Sequence, residues 1–520
     1  MPTQCHPGRS WLLAAAIAAA SPAIASPATY EQTVPEELRE LVGPARFAAA
    51  ADVLERLRKS GIELDAGLAA RIQASPCSGS ITDLIAAYTS DPEVRAVLGR
   101  VGAGLTDLPP GYLDKPMPEI FRDSSPLPCP AGSSATDCGM RNPWKNADGS
   151  APDSAELLGR IAGYLTDWCS FLPRIDGARD NGLLYIQGFA WLYYRNPAGQ
   201  GFVQEDPGRA VTTAFSNQRG RFMSSSASRS RIEEWIDDPR IEIADYRLQR
   251  AEDYPSWNAF FARELAVDPD SRTIPSRPAT MPQSEYPERD YIVVSPTDCI
   301  MNPLVQVLAA DGKVERRYVE NPLQEDTVLD VKGIPISVRA LLADTPEEIR
   351  NEFVGGTGLT CVLMPSTYHH FHAPVSGTVV HAEVVRDGTY GYPDFPNWVP
   401  LDGNVGRPGT DFSQFQRFQR GVVVIEVVYG ADPGDPEVAP LRGYVASIPV
   451  GLNTVGSVVL DKDIVPGAVV KRGYTRLGNF YYGGSLDILL FSAGLAPGVV
   501  QTRLGSQINL FDIGSMPNER

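Results

Sequence analysis

The sequence predicts an α+β chain in two parts, helical first and β-rich second. Between residues 31 and 105, apolar side chains recur at helical spacing among good helix formers. After about residue 290 the texture changes to short β-branched runs punctuated by Gly and Pro. At 520 residues the chain has room for two or three cores.

Taken in order, residues 1–25 read as a secretory signal. Arg9 precedes an apolar run from Trp11 to Ala20, and Ala23-Ile24-Ala25 offers a small-residue cleavage site. That run is too short to span a bilayer, and no later segment is long and apolar enough. The expected location is therefore exported, periplasmic or secreted. Residues 26–250 form the expected helical domain. Pro35-Glu36-Glu37-Leu38 starts one helix, and Ala48–Leu57 continues the pattern. A Pro/Gly/Ser-rich loop spans about 108–146. A second helical stretch, Ser154–Arg195, carries Trp168, Phe171, Tyr185, Phe189, Trp191, Tyr193 and Tyr194, better read as core than as a ring-binding pocket. Residues 251–520 form the β-rich domain, with strands expected at Tyr291–Val294, Thr360–Leu363, Gly421–Val428 and Ala468–Val470. The segments Pro374–Val380 and Pro466–Gly473 resemble the hairpins of biotinyl/lipoyl-like barrels.

The net charge of −17 argues against a nucleic-acid partner, which requires basic stripes, and gives no support for binding an anionic membrane surface. Six cysteines follow the signal: Cys77, Cys129, Cys138, Cys169, Cys299 and Cys361. In an exported chain they permit up to three disulfides, with Cys129–Cys138 the first pair to expect. Cys299 and Cys361 are open between a disulfide and buried thiols. No CxxC spacing occurs, so no structural metal is expected.

Chemistry concentrates in two places. His369, His370 and His372 fall within the run Tyr368–His372, and Phe480-Tyr481-Tyr482-Gly483-Gly484-Ser485 puts a serine behind two glycines. A serine hydroxyl needs a positioned base to act as a nucleophile near neutral pH. Three other readings stand beside this one. The histidines could bind zinc, although no carboxylate lies close in sequence. A Ser-His-Asp hydrolase is possible, although the Gly-x-Ser-x-Gly elbow is missing. A secreted binding module that keeps the fold without chemistry is the third.

Four segments, in order, resemble the phosphatidylserine decarboxylase family of self-processing, pyruvoyl-dependent enzymes. Trp257–Leu265 resembles the helix that opens the family's domain. Ser295-Pro296-Thr297-Asp298-Cys299 resembles its Ser-Pro-x-Asp-Gly turn, with Cys299 in place of glycine. Tyr368–Gly377 resembles Tyr-His-x-x-His-x-Pro-x-x-Gly, and Leu477–Ser485 resembles the processing site. Thr454–Ser457 fits the region upstream of that site. Leu504-Gly505-Ser506 is a decoy that matches the family over fewer positions. The likeness covers about residues 250–515. Around Trp168–Leu172 the chain is also similar to the branch with an extra N-terminal domain that decarboxylates free aromatic amino acids.

The resemblance implies self-cleavage between Gly484 and Ser485, into a large and a small chain that stay together. His372 matches the base that activates Ser485, and Asp298 matches the carboxylate that orients that base. Ser485 becomes the pyruvoyl cofactor, which captures the substrate amine and accepts the electrons that carbon dioxide leaves behind. His369 matches the proton donor, and His370 has no counterpart. The implied substrate is phosphatidylserine, giving phosphatidylethanolamine; the alternative is a free amino acid, such as an aromatic one.

Overall fold

The computed structural model describes residues 29–107, 141–175, 185, 188–189, 191–193, 195–266 and 292–495, except 311–312, 320–321, 332–333, 364–365, 386–418, 431–436, 438, 452–457 and 483–484. The signal segment, Cys129 and Cys138, Thr454–Ser457, Gly483 and Gly484, and the decoy Leu504–Ser506 all lie outside these residues. The chain divides into two compact units. One comprises Met1–Trp168, Leu183–Phe202 and Asp512–Arg520; the other comprises Cys169–Gly182 and Val203–Phe511.

The first unit is built on helices. In order they are α1 (Tyr30–Thr33), α2 (Arg39–Val42), α3 (Pro44–Lys59), α4 (Ala66–Ala74), α5 (Ser78–Ser90) and α6 (Pro92–Ala103). Pro35–Leu38, expected to open a helix, instead gives a 3₁₀ turn over Glu36–Leu38. The starts of α4 and α6 follow capping rules. Asp65 accepts the Leu68 amide at 3.0 Å, and Asp91 accepts the Glu93 amide at 2.8 Å just ahead of Pro92. The next described helix is α7 (Ser154–Cys169), and farther along the expected helical stretch residues 185, 188 and 189 are helical as well. Its Tyr164 and Trp168 pack with Trp144, Tyr185 and Phe189 at centroid distances of 5.1–6.3 Å. The aromatic-rich stretch is thus core, because only mutual packing removes that much apolar area from water.

Beyond α8 (Pro197–Gln204), the second unit begins its helical part with α9 (Gly208–Met223), α10 (Ile232–Ile236) and α11 (Trp257–Phe261). Among the residues that follow, α12 (Val338–Leu341) and α13 (Glu347–Asn351) are short. Fourteen strands are described: β1 (Ile300–Pro303), β2 (Val305–Ala310), β3 (Lys313–Tyr318), β4 (Val328–Val331), β5 (Ile334–Ser337), β6 (Thr357–Leu363), β7 (His370–His372), β8 (Gly377–Val385), β9 (Arg420–Tyr429), β10 (Leu441–Gly451), β11 (Val458–Leu460), β12 (Val469–Val470), β13 (Arg476–Phe480) and β14 (Ser485–Phe491). Residues 292–294 form no strand, contrary to expectation, although the Val294 amide donates to Pro374 O at 2.9 Å. The largest sheet has the order β1-β6-β14-β10-β9-β8-β12, with antiparallel pairings throughout. A three-stranded sheet runs β11-β13-β7, and a four-stranded one runs β3-β2-β4-β5. Helices and sheets segregate along the chain, so the α+β expectation holds.

The core of the β part includes Phe371, Val423, Ile425, Leu477, Phe480, Leu489 and Phe491, all nearly inaccessible. Every described residue of β14 is buried, as expected for a strand with neighbours on both sides. β13 passes so close to its neighbours that a Cβ on Gly478 would lie 2.0 Å from Val459 O and 2.6 Å from Phe371. Only glycine permits that approach.

Candidate active site

The site is assembled from three segments that hydrogen bonds draw together. β7 carries His370 and His372 and pairs with β13, setting His372 opposite Arg476 and His370 opposite Asn479. The Phe480 amide continues the ladder to His369 O at 2.8 Å. On the other side the His372 amide donates to Pro296 O at 2.8 Å, and Thr297 Oγ1 donates to Tyr368 O at 3.1 Å. The Asp298 turn is therefore fastened to the histidine strand, and that strand to the one leading into Ser485.

The three histidines face different partners. His372 Nε2 lies 2.8 Å from the Tyr368 hydroxyl. His369 is 1% exposed, packs against Phe261 with ring centroids 3.8 Å apart and planes tilted by 34°, and donates from Nδ1 to Thr367 O at 2.8 Å. Burial, with Arg263 adding repulsion, holds its pKa well below the usual imidazole value, so the ring is neutral with its lone pair on Nε2. His370 donates from Nε2 to Ala262 O at 2.8 Å, and burial lowers its pKa to about 4.

These shifts have a consequence for stability. A histidine with a depressed folded pKa contributes fully above its unfolded pKa of about 6.5 and loses that contribution as pH falls. For His370 the window runs from about 6.5 down to about 4, worth ~3 kcal/mol. Thermal melts should fall across this window, and His370→Gln should flatten the fall. An unchanged slope in that variant would refute a neutral buried His370.

Ser485 opens β14 and is 3% exposed, opposite Leu363 of β6 and Gly451 of β10. The chain just before it is clamped at Tyr482. Its amide donates to Asn258 Oδ1 at 3.4 Å, and its ring meets Phe261 at 5.2 Å and Trp257 at 6.0 Å. The helix that opens the family-like segment, expected to reach Leu265, is only α11. Ser256 caps it by accepting the Ala259 amide at 3.2 Å, and the helix ends at Phe261. Arg263 beyond it is 1% exposed, lies over the Tyr246 ring at 4.3 Å, and donates to the carbonyls of Ser366 and Thr367.

Asp298 and Cys299 line a cavity of about 360 Å³ together with Ile300, Ser366, Thr367 and residues of 240–246. Ser485 is not among the lining residues. Cys299 and Cys361 are free thiols, so the third disulfide that six cysteines permit does not form between them; Cys77 and Cys169 are each disulfide-bonded. Hydrogen bonding from Cys299, followed by burial, raises the Cys361 pKa well above its ordinary value. Cys361 sits opposite Asp487 in the sheet. Asp487 is fully buried, takes the Ser447 hydroxyl on both carboxylate oxygens at 3.2 and 3.0 Å, and burial raises its pKa to about 7. The acid was visible in the sequence as a charge inside Leu486–Phe491. Tyr482, Asn258 and Arg263 gave no such signal, because aromatic and polar residues in a helix-like stretch look like any core.

Residues 257–509 match the family model described as phosphatidylserine decarboxylase. This C-terminal half belongs to that family. Among relatives of the phosphatidylserine decarboxylase chain segment is the phosphatidylserine decarboxylase proenzyme of Clostridium perfringens, 27% identical over 328 residues, covering 62% of this chain and 89% of that protein. The proenzyme of Fusobacterium nucleatum is 26% identical over 301 residues, covering 58% and 79%. Decarboxylase iboD of Amanita muscaria is 27% identical over 242 residues, covering 46% and 58%.

Proposed function

We propose that this chain is a phosphatidylserine decarboxylase made as a proenzyme, which cuts itself between Gly484 and Ser485 and carries the resulting pyruvoyl group at position 485. The observation that carries the reading is the hydrogen-bonded convergence of the Asp298 turn, the histidine strand and the strand entering Ser485. In processing, His372 takes the Ser485 hydroxyl proton while Oγ attacks the Gly484 carbonyl carbon, and Asp298 orients the base. The peptide C–N bond gives way to an ester. Elimination then leaves Gly484 as a carboxylate that keeps the serine oxygen, and water releases the nitrogen as ammonia.

Position 485 suits the product of this chemistry. A free α-ammonium at a site 3% exposed would carry a heavy desolvation cost, whereas an uncharged keto end of nearly the same size would not. The pyruvoyl carbonyl supplies the capture of the substrate amine and the electron sink for decarboxylation. His369, neutral with a free Nε2 lone pair, acquires a proton there before returning it to the substrate carbon. Tyr368 holds His372 at Nε2.

A free amino acid is the second substrate reading, supported by a relative named only as a decarboxylase and by the net charge of −17. No helix among the described residues is long and apolar enough to cross a membrane. Co-sedimentation with liposomes separates the two: the lipid enzyme binds, the other does not. We also read residues 1–25 as an export signal. The pairing of Val469 with Thr378 and Val470 with Gly377 supports the biotinyl/lipoyl-like hairpin reading of those two segments.

The decisive experiment is the denatured, reduced mass of the purified protein. Two chains, the smaller beginning at residue 485 and blocked by pyruvoyl, are expected. One intact chain from folded protein would overturn the reading.

A further inference from the structure

Where the turn it resembles carries glycine, this chain carries Cys299, and the fold sets that thiol against a second one. Cys361 of β6 sits opposite Met301 of β1 and opposite Asp487 of β14, and is fully buried between those strands. Cys299 immediately precedes β1, two residues before Met301, which places it on the Cys361 side of the sheet. Diagonal neighbours across an antiparallel pair are close enough for side chains to meet. The two thiols do meet: they are hydrogen-bonded, and both are free.

Their surroundings differ. Ser295 Oγ donates to Thr297 O at 2.6 Å, which leaves its oxygen to accept the Cys299 thiol at 3.6 Å. Cys299 is only partly buried and lines the cavity of about 360 Å³ beside Asp298. Cys361 does not line that cavity and lies behind Cys299. A small oxidant entering the cavity therefore meets Cys299 first, with Cys361 placed to resolve the product. Cys77 and Cys169 already carry disulfide bonds, so disulfide chemistry acts on this chain.

We propose that Cys299 and Cys361 are a redox-active pair, closed to a disulfide by exchange with a small-molecule disulfide that enters the Asp298 cavity. The Cys299 sulfur gives up its proton and attacks one sulfur of the oxidant, whose S–S bond breaks and releases a thiolate. The Cys361 sulfur then loses its proton and attacks Cys299, expelling the other half of the oxidant. The two protons end on the two released thiols. Two protein thiols are oxidised, and one small disulfide is reduced.

The new bond ties the 295–299 turn to β6. Because β6 is held between β1 and β14, drawing the sulfurs from contact to bonding distance must move Cys299, and Asp298 with it. A misplacement on the order of 1 Å costs up to ~10²-fold in rate, so self-cleavage should slow ~10- to 100-fold in the oxidised precursor. The bond is independent of the decarboxylase reading; this effect on cleavage rests on it.

Freshly made, folded full-length chain is treated with hydroxyethyl disulfide, alkylated and digested without reduction. The expected product is the Cys299 peptide joined to the Cys361 peptide, released again by dithiothreitol. Cys361→Ser should stop at a mixed disulfide on Cys299, and Cys299→Ser should leave Cys361 unmodified. Should Cys361→Ser not fold, a time course on the parent decides the order, with the mixed disulfide appearing before the link. Alkylated, unlinked peptides from the treated folded chain would overturn the proposal. Equal cleavage rates in the linked and reduced precursors would overturn the coupling to the Asp298 turn. A reduced precursor that never cleaves, with the link still forming, would sink the decarboxylase reading and leave the pair standing.

Discussion

Ser485→Ala is expected to yield a single uncut chain with no decarboxylation at all. The substitution removes the one oxygen that can attack Gly484, and no later step can begin without that attack. Because Ser485 is buried at the head of a strand paired on both sides, trimming its hydroxyl to a methyl should leave the fold intact. His372→Ala should act on the same step more gently, slowing cleavage ~10²- to 10⁴-fold, the usual worth of a positioned base. Time-resolved masses of freshly made protein would measure both. Normal cleavage in Ser485→Ala would move the processing site elsewhere; normal cleavage in His372→Ala would remove the base from this account.

Asp487→Asn is expected to stabilise the protein at pH 8 and to do little near pH 4. The carboxyl's folded pKa of about 7 lies above its ordinary 3.8 because burial opposes the charge. For a raised folded pKa, stability is fully present below the unfolded value and is lost as pH rises through the folded one. The window is therefore pH 3.8 to 7, and a shift of ~3 units sets a ceiling of ~4 kcal/mol. The amide removes that loss while still accepting the Ser447 hydroxyl. Melting temperatures taken in the Ser485→Ala background avoid any difference in processing, at roughly 2 °C for each kcal/mol. A gain equal at both pH values, or a loss at both, would refute a neutral buried acid. His370 works in the opposite direction over much of the same range, so Asp487→Asn should also steepen the decline toward acid.

How much of this was legible beforehand depends on what kind of signal each part leaves. The helical first part and the strands at 360–363 and 421–428 follow from the pattern of apolar residues, which reports burial directly. The expected strand at 291–294 forms no strand over its described residues 292–294, where the Val294 amide bonds Pro374 O outside any sheet. The helix from Trp257 stops at Phe261, since Arg263 turns to bond the 366–367 carbonyls rather than extend the helix. His369, His372, Asp298 and Ser485 stood out because motif spacing marks them. The Tyr482 clamp did not, because its importance comes from residues distant in sequence that folding brings beside it.

The interior position of β14 in its sheet has a further meaning once the chain is cut. The newly made end lies not on a rim but between β6 and β10, held by ladders on both sides. On the proposed cleavage between 484 and 485, the mature enzyme would be two separate molecules sharing one sheet, with nothing covalent across the break. Its unfolding becomes a dissociation, so its melting temperature should rise with protein concentration. Reassembly would require a short strand to find the gap between two others, which makes the uncut precursor the form that folds and the cut form the one that cannot easily return.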